Sequence, residues 1–209
     1  MKRAAVIAAL VLVGTLGASV AMADTVAFTP PGGLSQANAP GVPVNLGLVF
    51  TANTNFSVDA LGFYYQSYVT EPEMVALYDS SGNLLTSTTV TLADPNVDGY
   101  LWQSITPVAL TSGDTYTVDA FTGNNDWSYG STAPNTAADV TYSYHDYLYT
   151  GSLAFPFDTG GAAGGGGGAY YGPNFEIASA VPEPGSLALL AIAFMLMGCL
   201  HYRKMLVRG

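Results

Sequence analysis

Short runs of alternating apolar and polar residues, separated by turn residues, fill the middle of this chain. Eight runs predict β-strands, at residues 46–51, 56–65, 74–78, 84–92, 101–105, 115–121, 139–144 and 174–178. They are rich in valine, threonine, tyrosine and phenylalanine, which favour strands, and none repeats with the 3.6-residue period of a helix. The pattern predicts an all-β domain, an antiparallel β-sandwich with either a jelly-roll or an immunoglobulin-like strand order.

Glycine marks several connections between these strands. Residues 79–83 read Asp-Ser-Ser-Gly-Asn and predict a hairpin loop, because glycine adopts the positive φ that such loops require. Residues 111–114 predict a second turn of the same kind. The glycine-rich segment 160–168 lacks the G-x-G-x-x-G spacing of a phosphate-binding loop, so it predicts a loop inserted between two paired strands.

The N-terminal end has the three parts of a secretory signal peptide. These are, in order, a basic pair (Lys2, Arg3), an apolar run (4–16) and small residues before a cut (Ala21, Ala23). Signal peptidase requires small side chains at the first and third positions before the bond that it cleaves. We therefore expect a signal helix over residues 1–23, export through the Sec machinery, and cleavage between Ala23 and Asp24.

A second apolar segment lies near the C-terminal end, between a proline motif and a basic cluster. Its parts are the motif Val181, Pro182, Glu183 and Pro184, the uncharged run 187–200, and the basic residues Arg203, Lys204 and Arg208. Alternate prolines cannot continue a helix, so they force an extended break. The run predicts a single transmembrane helix near the short limit for a bilayer, with the basic tail in the cytoplasm and the domain 24–180 outside it.

This order of motif, apolar helix and basic tail over residues 181–209 resembles the PEP-CTERM sorting domain of Gram-negative bacteria. The resemblance implies processing by an exosortase, a membrane-embedded transpeptidase-like enzyme, and an association with exopolysaccharide or the biofilm matrix. We expect the helix to anchor the chain transiently in the inner membrane. The processed protein would then reach the cell surface or the extracellular matrix.

The exported segment carries acid and no base. All five Lys and Arg residues lie in the two chain ends, whereas fourteen of the fifteen Asp and Glu residues lie within 24–180, and the formal net charge is −10. Nucleic acids and anionic lipids need a positive surface, so we expect neither as a partner of the domain. Salt bridges to Lys or Arg are excluded within it, which leaves apolar burial and strand pairing to stabilise the fold.

Four segments occur in an order that points to a second family. They are residues 46–51, 61–65, 75–85 and 113–118. Together, over residues 46–130, they resemble the DUF4082-type β-sandwich of secreted bacterial proteins. The resemblance implies that Phe50 and Phe63 lie in the core and that Trp102 begins a strand. It implies no catalytic residue, because the family has no established one.

Aromatic residues concentrate after residue 126 in a mixture that sugar-binding sites use. The candidates are Trp127, Tyr129, Tyr142, Tyr144, His145 and Tyr149, with the polar residues 124–126 before them. Aromatic rings stack on pyranose faces, while polar side chains bind the hydroxyl groups. The alternative interpretation is that Tyr142 and Tyr144 share one strand face and cover the edge of the core. Composition leaves both open.

Candidate catalytic groups are few. A nucleophilic triad would use His145, the one histidine before the C-terminal tail, and no spacing places a serine beside it. A glycosidase needs two facing carboxylates, and Glu71, Glu73 and Glu176 show no spacing that pairs them. We therefore predict a protein that is not an enzyme.

One loop partly matches a calcium-binding pattern. Asp94, Asn96 and Asp98 alternate within residues 93–99, as in a D-x-[DN]-x-[DN]-G loop, but no glutamate follows at the EF-hand spacing. Turn formation by Asp and Asn explains the same residues. Calcium here is the cofactor that the sequence leaves open, since one histidine and no cysteine within 24–180 cannot build an ordinary zinc site.

Together these features predict an exported, surface-directed, non-enzymatic β-sandwich protein that an exosortase sorts and that acts in the exopolysaccharide matrix or in adhesion. The alternative is a carbohydrate-binding module with a specific glycan ligand, and a hydrolase comes third. Glycan binding that disappears in Trp127→Ala or Tyr144→Ala would favour the alternative.

Overall fold

β-strands make up all the regular secondary structure of the described residues. The computed structural model of the protein describes residues 24–37, 41–157 and 169–178. The strands are β1 (Thr25–Val26), β2 (Phe28–Thr29), β3 (Ser35–Gln36), β4 (Val44–Ala52), β5 (Phe56–Tyr64), β6 (Glu73–Asp79), β7 (Leu84–Val90), β8 (Asn96–Val97), β9 (Tyr100–Leu110), β10 (Thr115–Phe121), β11 (Ser128–Gly130), β12 (Asn135–Thr136), β13 (Val140–Tyr149), β14 (Ala169–Tyr171) and β15 (Pro173–Ile177). The all-β prediction is confirmed.

The two predicted helices cannot be compared with the structure. The signal helix over residues 1–23 and the transmembrane helix over residues 187–200 both lie outside the described residues. Within the described part of the chain, no helix has the length and apolar character needed to cross a membrane.

Each of the eight predicted strands is present. They correspond to β4, β5, β6, β7, β9, β10, β13 and β15. β10 has the predicted bounds, whereas β9 and β13 continue beyond theirs, to Leu110 and Tyr149. The sequence does not predict the seven strands of two or three residues, because so short a segment has no measurable periodicity.

The long strands form two antiparallel sheets that pack as a sandwich. Sheet 1 has the order β1-β15-β5-β9-β8, and sheet 2 has the order β13-β4-β10-β6-β7. Alternate residues of each sheet point inward, and both sheets contribute to one core, Phe50 and Val118 from sheet 2 and Phe63 and Phe175 from sheet 1. The ring centroids of Phe50 and Phe175 are 4.9 Å apart. The core positions expected for Phe50 and Phe63 are confirmed.

Most connections between the long strands cross from one sheet to the other, and two predictions are wrong for this reason. Residues 111–114 do turn the chain, with Gly113 at a φ of 89°, but they join β9 of sheet 1 to β10 of sheet 2 and form no hairpin. β13 and β15, on either side of the segment 160–168, also belong to different sheets. Local sequence signals a change of direction, whereas the pairing partner is set by the core faces of both sheets.

The hairpin loop predicted at residues 79–83 is confirmed between β6 and β7. Gly82 has a φ of 79°, and the Asp79 carboxylate accepts hydrogen bonds from the N–H groups of Ser81 and Asn83, both at 2.9 Å. The Asn83 side chain donates a further bond at 2.8 Å. This bond and the backbone bonds keep the pKa of Asp79 below its ordinary value.

The outer face of sheet 2, which points away from the core, is partly covered by residues 151–157. We call this segment the strap. The Asn45 side chain holds it from β4: the amide donates to the Ser152 carbonyl at 3.0 Å, and the side-chain carbonyl accepts from the Ala154 N–H at 3.0 Å. A buried polar residue in the middle of a sheet thus fixes the segment that crosses it.

Two strap residues pack directly on the sheet. The Phe155 ring meets the Tyr78 ring edge-on, with centroids 5.4 Å apart. Pro156 lies over Gly47 of β4, where an added Cβ atom would stand 2.5 Å from the Pro156 Cγ. Glycine at this position is therefore what lets the strap approach the sheet closely.

The outer face of sheet 1 is covered by an aromatic side chain instead. The Trp102 ring lies over Gly62 of β5, where an added Cβ would stand 2.3 Å from the ring carbon Cε3. The indole N–H of Trp102 donates to the Val97 carbonyl at 3.3 Å. Trp102 is the third residue of β9, close to the strand-starting position that the resemblance implies.

Candidate functional site

Aromatic residues from β13, β14 and the segment before β11 meet beside the edge of sheet 2. We call this group the aromatic corner; its members are Trp127, His145, Tyr147, Tyr149 and Tyr170. The His145 ring meets Tyr170 edge-on at 4.7 Å, and Tyr147 lies 6.0 Å from Tyr170 and 5.4 Å from Tyr149. Tyr147 and Tyr170 also pack against the cluster that contains Trp127. Such edge-on pairs stabilise the corner beyond the burial of apolar area.

A β-bulge in β13 separates Tyr142 from Tyr144. Tyr142 pairs with Phe50 and Tyr144 with Val49, so β13 has one more residue than its partner here. Because Phe50 points into the core, Tyr142 lies on the core side of sheet 2, whereas Tyr144 lies with Val49 on the outer face. The register contradicts the interpretation that the two tyrosines share one face, which assumes a regular strand. His145 follows on the core side, its Nδ1 3.3 Å from the Tyr142 hydroxyl.

The candidate glycan-binding residues therefore do not form one continuous surface. Trp127 is only 6% exposed and packs inside the aromatic corner. Tyr129 of β11 is 43% exposed, and Tyr149 at the end of β13 is 58% exposed. Tyr129 and Tyr149 are thus the most exposed of these rings, Tyr142, Tyr144 and His145 are partly buried, and Trp127 is part of the packing beneath.

The polar residues before Trp127 hold neighbouring loops together. Asn125 accepts hydrogen bonds from the N–H groups of Thr70 and Glu71 at 2.8 and 3.1 Å, and donates to the Glu71 carbonyl at 2.9 Å and the Glu73 Oε1 at 2.5 Å. The Asp126 carboxylate accepts from the Gln36 side chain at 2.5 Å. These side chains already form hydrogen bonds within the protein, so they are poor candidates for binding sugar hydroxyls.

Glu73 is a buried acid at the centre of this network. It is 1% exposed, and its Oε2 has no hydrogen-bond partner among the described residues. Burial raises the pKa of Glu73 to about 8; the hydrogen bond from Asn125 opposes the rise and the nearby Glu71 charge adds to it. Glu73 is consequently mostly a neutral carboxylic acid at pH 7.

The candidate calcium loop forms a short hairpin between β8 and β9. Asp98 and Gly99 have φ values of 53° and 85° and occupy the two turn positions, as Asp-Gly does in a type I′ turn. The Asp94 carboxylate accepts the Thr91 N–H at 2.6 Å, and Asn96 pairs with β9. All three candidate ligands therefore have structural roles in the turn.

Calcium binding at this loop stays a prediction. If it occurs, the melting temperature should rise with calcium but not with magnesium, and Asp94→Ala should abolish this response.

Asp24, Asp59 and Glu176 form a cluster that no sequence spacing indicates. One carboxylate oxygen from each lies within 4.8 Å of those of the other two, close enough to share one cation. β1 pairs with β15 directly after Asp24, and Asp59 is the extra residue of a bulge in β5. Burial raises the pKa of both Asp59 and Glu176, and the charge of Asp24 adds to the rise in each. We call this group the acid trio.

Asp119 points away from the core on the outer face of sheet 2 and is nevertheless fully buried. It pairs with Gly47, the glycine beneath Pro156, and Asp146 pairs with Gly47 from the other side. Asp119 is fully buried, and neither carboxylate oxygen meets hydrogen-bond geometry with a described residue. Burial raises the pKa of Asp119 well above its ordinary value, and the nearby backbone of Ala120 and of Leu46 opposes only part of this. Burial therefore favours the protonated form of Asp119 in the folded protein.

Sequence reasoning missed the acid trio, the buried state of Asp119 and the strap. The acid trio joins positions that are far apart in the chain, so no sequence motif indicates it. The sequence points to Glu176 only as a candidate catalytic carboxylate. Gly47 does carry a signal, because a glycine inside an apolar strand often marks a close approach by another segment.

Several predicted site residues lie outside the described part of the chain. They are the sorting motif Val181, Pro182, Glu183 and Pro184, the basic tail Arg203, Lys204 and Arg208, and the residues Ala21 and Ala23 before the predicted cut. Asp24, on the other side of that cut, is the first described residue.

Comparison with known families gives two matches. Residues 30–163 match the model of the family described as Domain of unknown function (DUF4082), and residues 180–204 match the PEP-CTERM protein-sorting motif. Both resemblances drawn from the sequence are thereby confirmed. No curated protein matches the chain.

Proposed function

The chain belongs to the DUF4082 family and carries a PEP-CTERM protein-sorting motif, and from this premise we propose that it is a non-enzymatic matrix or adhesion protein of the cell surface. The sorting motif makes it an exported substrate of an exosortase. The role in the exopolysaccharide matrix or in adhesion is the step that we add. The observation that carries it is the sorting motif itself, attached to an acidic β-sandwich without Lys or Arg.

The surroundings of the candidate catalytic groups support a role without turnover. Glu73 is buried in the network around Asn125, whereas Glu176 lies in the acid trio on sheet 1. A glycosidase needs both carboxyl groups beside one sugar ring, and these two have separate surroundings. The His145 ring packs against Tyr170 and lies beside the Tyr142 hydroxyl, which favours a structural role.

A complementation experiment tests both parts of the proposal. Deletion of the gene should reduce surface attachment or matrix retention, and the wild-type chain should restore it only in cells with a working exosortase. The variant with Pro182, Glu183 and Pro184 changed to alanine should fail, and should accumulate in the inner-membrane fraction.

Variants that lack the candidate catalytic groups test the absence of catalysis. Glu176→Gln and His145→Gln should restore attachment fully when present at wild-type levels on the surface. If either variant is folded and correctly located yet inactive, and polysaccharide hydrolysis accompanies the wild-type activity, the non-enzymatic proposal is contradicted.

A carbohydrate-binding module is the second candidate, favoured by the exposed rings of Tyr129 and Tyr149 beside a packed aromatic base. Solvent-exposed tyrosines on a rigid support suit stacking on sugar rings. Trp127→Ala is a poor test because its side chain is buried and its loss would disturb packing.

The better test uses exposed rings. Glycan-array or calorimetric binding should be lost in the double variant Tyr129→Ala, Tyr149→Ala and kept in Tyr65→Ala, which removes a tyrosine that is 37% exposed and lies outside the corner. Equal binding by the two variants, or no binding by the wild-type protein, would contradict a specific glycan site here.

A further inference from the structure

The exported segment lacks two residue types from which extracellular proteins build covalent crosslinks. Disulfide bonds need cysteine and isopeptide bonds need the lysine amine, but residues 24–180 contain neither. Tyrosine is abundant instead, because the chain has fourteen tyrosines and only Tyr202 lies outside this segment. Two phenol rings join directly when each loses an electron and a proton, and this chemistry requires neither lysine nor cysteine.

Tyr149 is the most exposed tyrosine of the described residues. Its side chain is 58% exposed, compared with 43% for Tyr129 and 37% for Tyr65. It occupies the last position of β13, which is an edge strand of sheet 2. The stretch 147–157 around it carries no charge, so local repulsion between charged side chains does not oppose the approach of a second acidic copy at this place.

Tyr149 is also the outer end of a row of three tyrosine rings. The Tyr149 ring centroid lies 5.4 Å from that of Tyr147, and the Tyr147 centroid lies 6.0 Å from that of Tyr170. Electrons exchange readily between aromatic side chains at such short separations. Oxidation of any ring in the row is therefore shared with Tyr149.

The oxidised state settles on the ring that most easily releases its hydroxyl proton. Tyr147 and Tyr170 are partly buried. Burial, together with the neighbouring Tyr147 and Tyr149, raises the pKa of Tyr170, so the inner part of the row resists the loss of a proton. Tyr149 is open to water, which accepts the proton, and the phenoxyl radical is consequently located where a second chain reaches it.

We propose that Tyr149 is an oxidative crosslinking site, at which a haem peroxidase using hydrogen peroxide joins the chain to Tyr149 of a second copy. The proposal deepens the matrix role proposed above and rests on it. A covalent dimer presents two domains to the matrix, so that weak contacts made by each domain act together.

The peroxide is the oxidant in this reaction, and the two phenols are the reductants. Each Tyr149 phenol loses one electron and its hydroxyl proton, which gives two phenoxyl radicals. The radicals form a carbon–carbon bond between the ring positions next to the hydroxyl groups, and the two hydrogens displaced there return to the oxygens. The peroxide takes up the two electrons and two protons and leaves as two molecules of water.

The test compares the wild-type chain with Tyr149→Phe and with the control Tyr65→Phe, each exported and processed by the native cells. Phenylalanine keeps the ring and its packing but has no hydroxyl hydrogen to lose, so all three proteins should melt at the same temperature. The recovered proteins are treated with a haem peroxidase and hydrogen peroxide. We expect covalent dimers on a denaturing gel for the wild-type protein and Tyr65→Phe, and the loss of nearly all dimer in Tyr149→Phe.

Mass spectrometry identifies the bond. The intact mass of the dimer should equal that of two chains less two hydrogen atoms, and peptide analysis should locate the link at Tyr149 of both chains. Dimers with the same link should also be present in untreated matrix from the native cells.

Several results overturn the proposal. They are a wild-type protein that stays monomeric under peroxidase treatment, equal dimerisation by Tyr149→Phe, a link at other tyrosines, or no dimer in the native matrix. A ladder of higher oligomers overturns it as well, because it requires more than one reactive tyrosine in each chain.

The complementation experiment separates this proposal from the proposed function. If the wild-type chain restores surface attachment but forms no dimers, the crosslink alone is contradicted, and the matrix role stands. If the wild-type chain fails to restore attachment, the matrix role is contradicted whatever the peroxidase treatment yields.

Discussion

Acidic side chains lie on both outer faces of the sandwich, and the two faces differ in how completely they cover them. On sheet 2, Asp119 is buried beside the glycine that lies under the strap, and burial raises its pKa well above the ordinary value. On sheet 1, the acid trio stays partly open to solvent. In a domain without Lys or Arg, burial favours the neutral form of an acid, whereas water beside an open carboxylate favours its charged form. The segment that covers the face, and not the residue type, decides which happens.

An Asp→Asn substitution on each outer face should change the pH dependence of stability by different amounts. Because the folded pKa of Asp119 is raised, the folded state holds a proton that the unfolded chain releases above about pH 4, so stability falls as pH rises. Asp119→Asn cannot ionise, so urea unfolding should find it more stable than the wild-type protein at pH 9 and closer to it at pH 4. Asp59→Asn is the matched control on the open face, with an expected change below about 1 kcal/mol. Equal pH dependence in the two variants would refute the contrast.

Gly62 and Gly47, which lie beneath Trp102 and Pro156, should differ in how well they tolerate an added methyl group. Gly62→Ala places a Cβ 2.3 Å from the Trp102 ring, and Gly47→Ala places one 2.5 Å from Pro156. The indole is 6% exposed and has little room to move, so we expect Gly62→Ala to lower the free energy of unfolding by about 3 kcal/mol. The strap lies outside both sheets and yields more easily, so Gly47→Ala should cost about 1 kcal/mol. Exchange of the Ala154 backbone N–H should then be faster in Gly47→Ala and unchanged in Gly62→Ala. If Gly47→Ala instead lowers the free energy of unfolding more than Gly62→Ala does, the strap is more rigid than the Trp102 ring.

Glu73 is a third case, a buried acid that accepts a hydrogen bond from Asn125. Its pKa, raised from 4.5 to about 8, means that wild-type stability declines between these two pH values and levels off above pH 8. Glu73→Gln should remove that decline and be about 2 kcal/mol more stable than the wild-type protein at pH 9, after allowing for a poorer bond to Asn125. Parallel stability curves for the two proteins from pH 5 to pH 9 would mean that Glu73 is already ionised in the fold.

Salt should raise the melting temperature slightly through its effect on the exposed, charged acids. Screening weakens repulsion between exposed carboxylates, so the melting temperature at pH 7 should rise by about 2 °C between low and moderate NaCl. Asp119→Asn should keep most of the rise because Asp119 is buried and burial favours its neutral form, whereas Asp59→Asn, Glu176→Gln should reduce it. A flat or falling melting temperature in the wild-type protein would contradict the repulsion argument.

The sequence predicts the strands well and their partners poorly. Alternation and turn residues are local properties, so all eight long strands and the loop at 79–83 follow from them. Which sheet a strand joins depends on contacts between distant residues, and so the turn at 111–114 does not form the predicted hairpin. The same limit hid the acid trio, whose members meet only after β1, β5 and β15 have paired.

The candidate site shows where residue type alone misleads. Trp127 and Tyr149 look equivalent as stacking rings, but one is packed inside the aromatic corner and the other is mostly exposed. A single inserted residue in β13 sends Tyr142 and Tyr144 to opposite faces, and no propensity signals that bulge. The sorting motif is different in kind, because it is a linear sequence pattern and the fold is not needed to find it.

The most direct test of the account is the intact mass of the protein recovered from the native cell surface. We expect a chain that begins at Asp24 and ends near the motif Val181 to Pro184, without the apolar run 187–200 and without Arg203, Lys204 and Arg208. Cells without the exosortase should instead retain a form that still contains these residues, in the inner membrane. A surface protein that keeps residues 187–209 in cells with a working exosortase would contradict the central claim that the chain is sorted by cleavage.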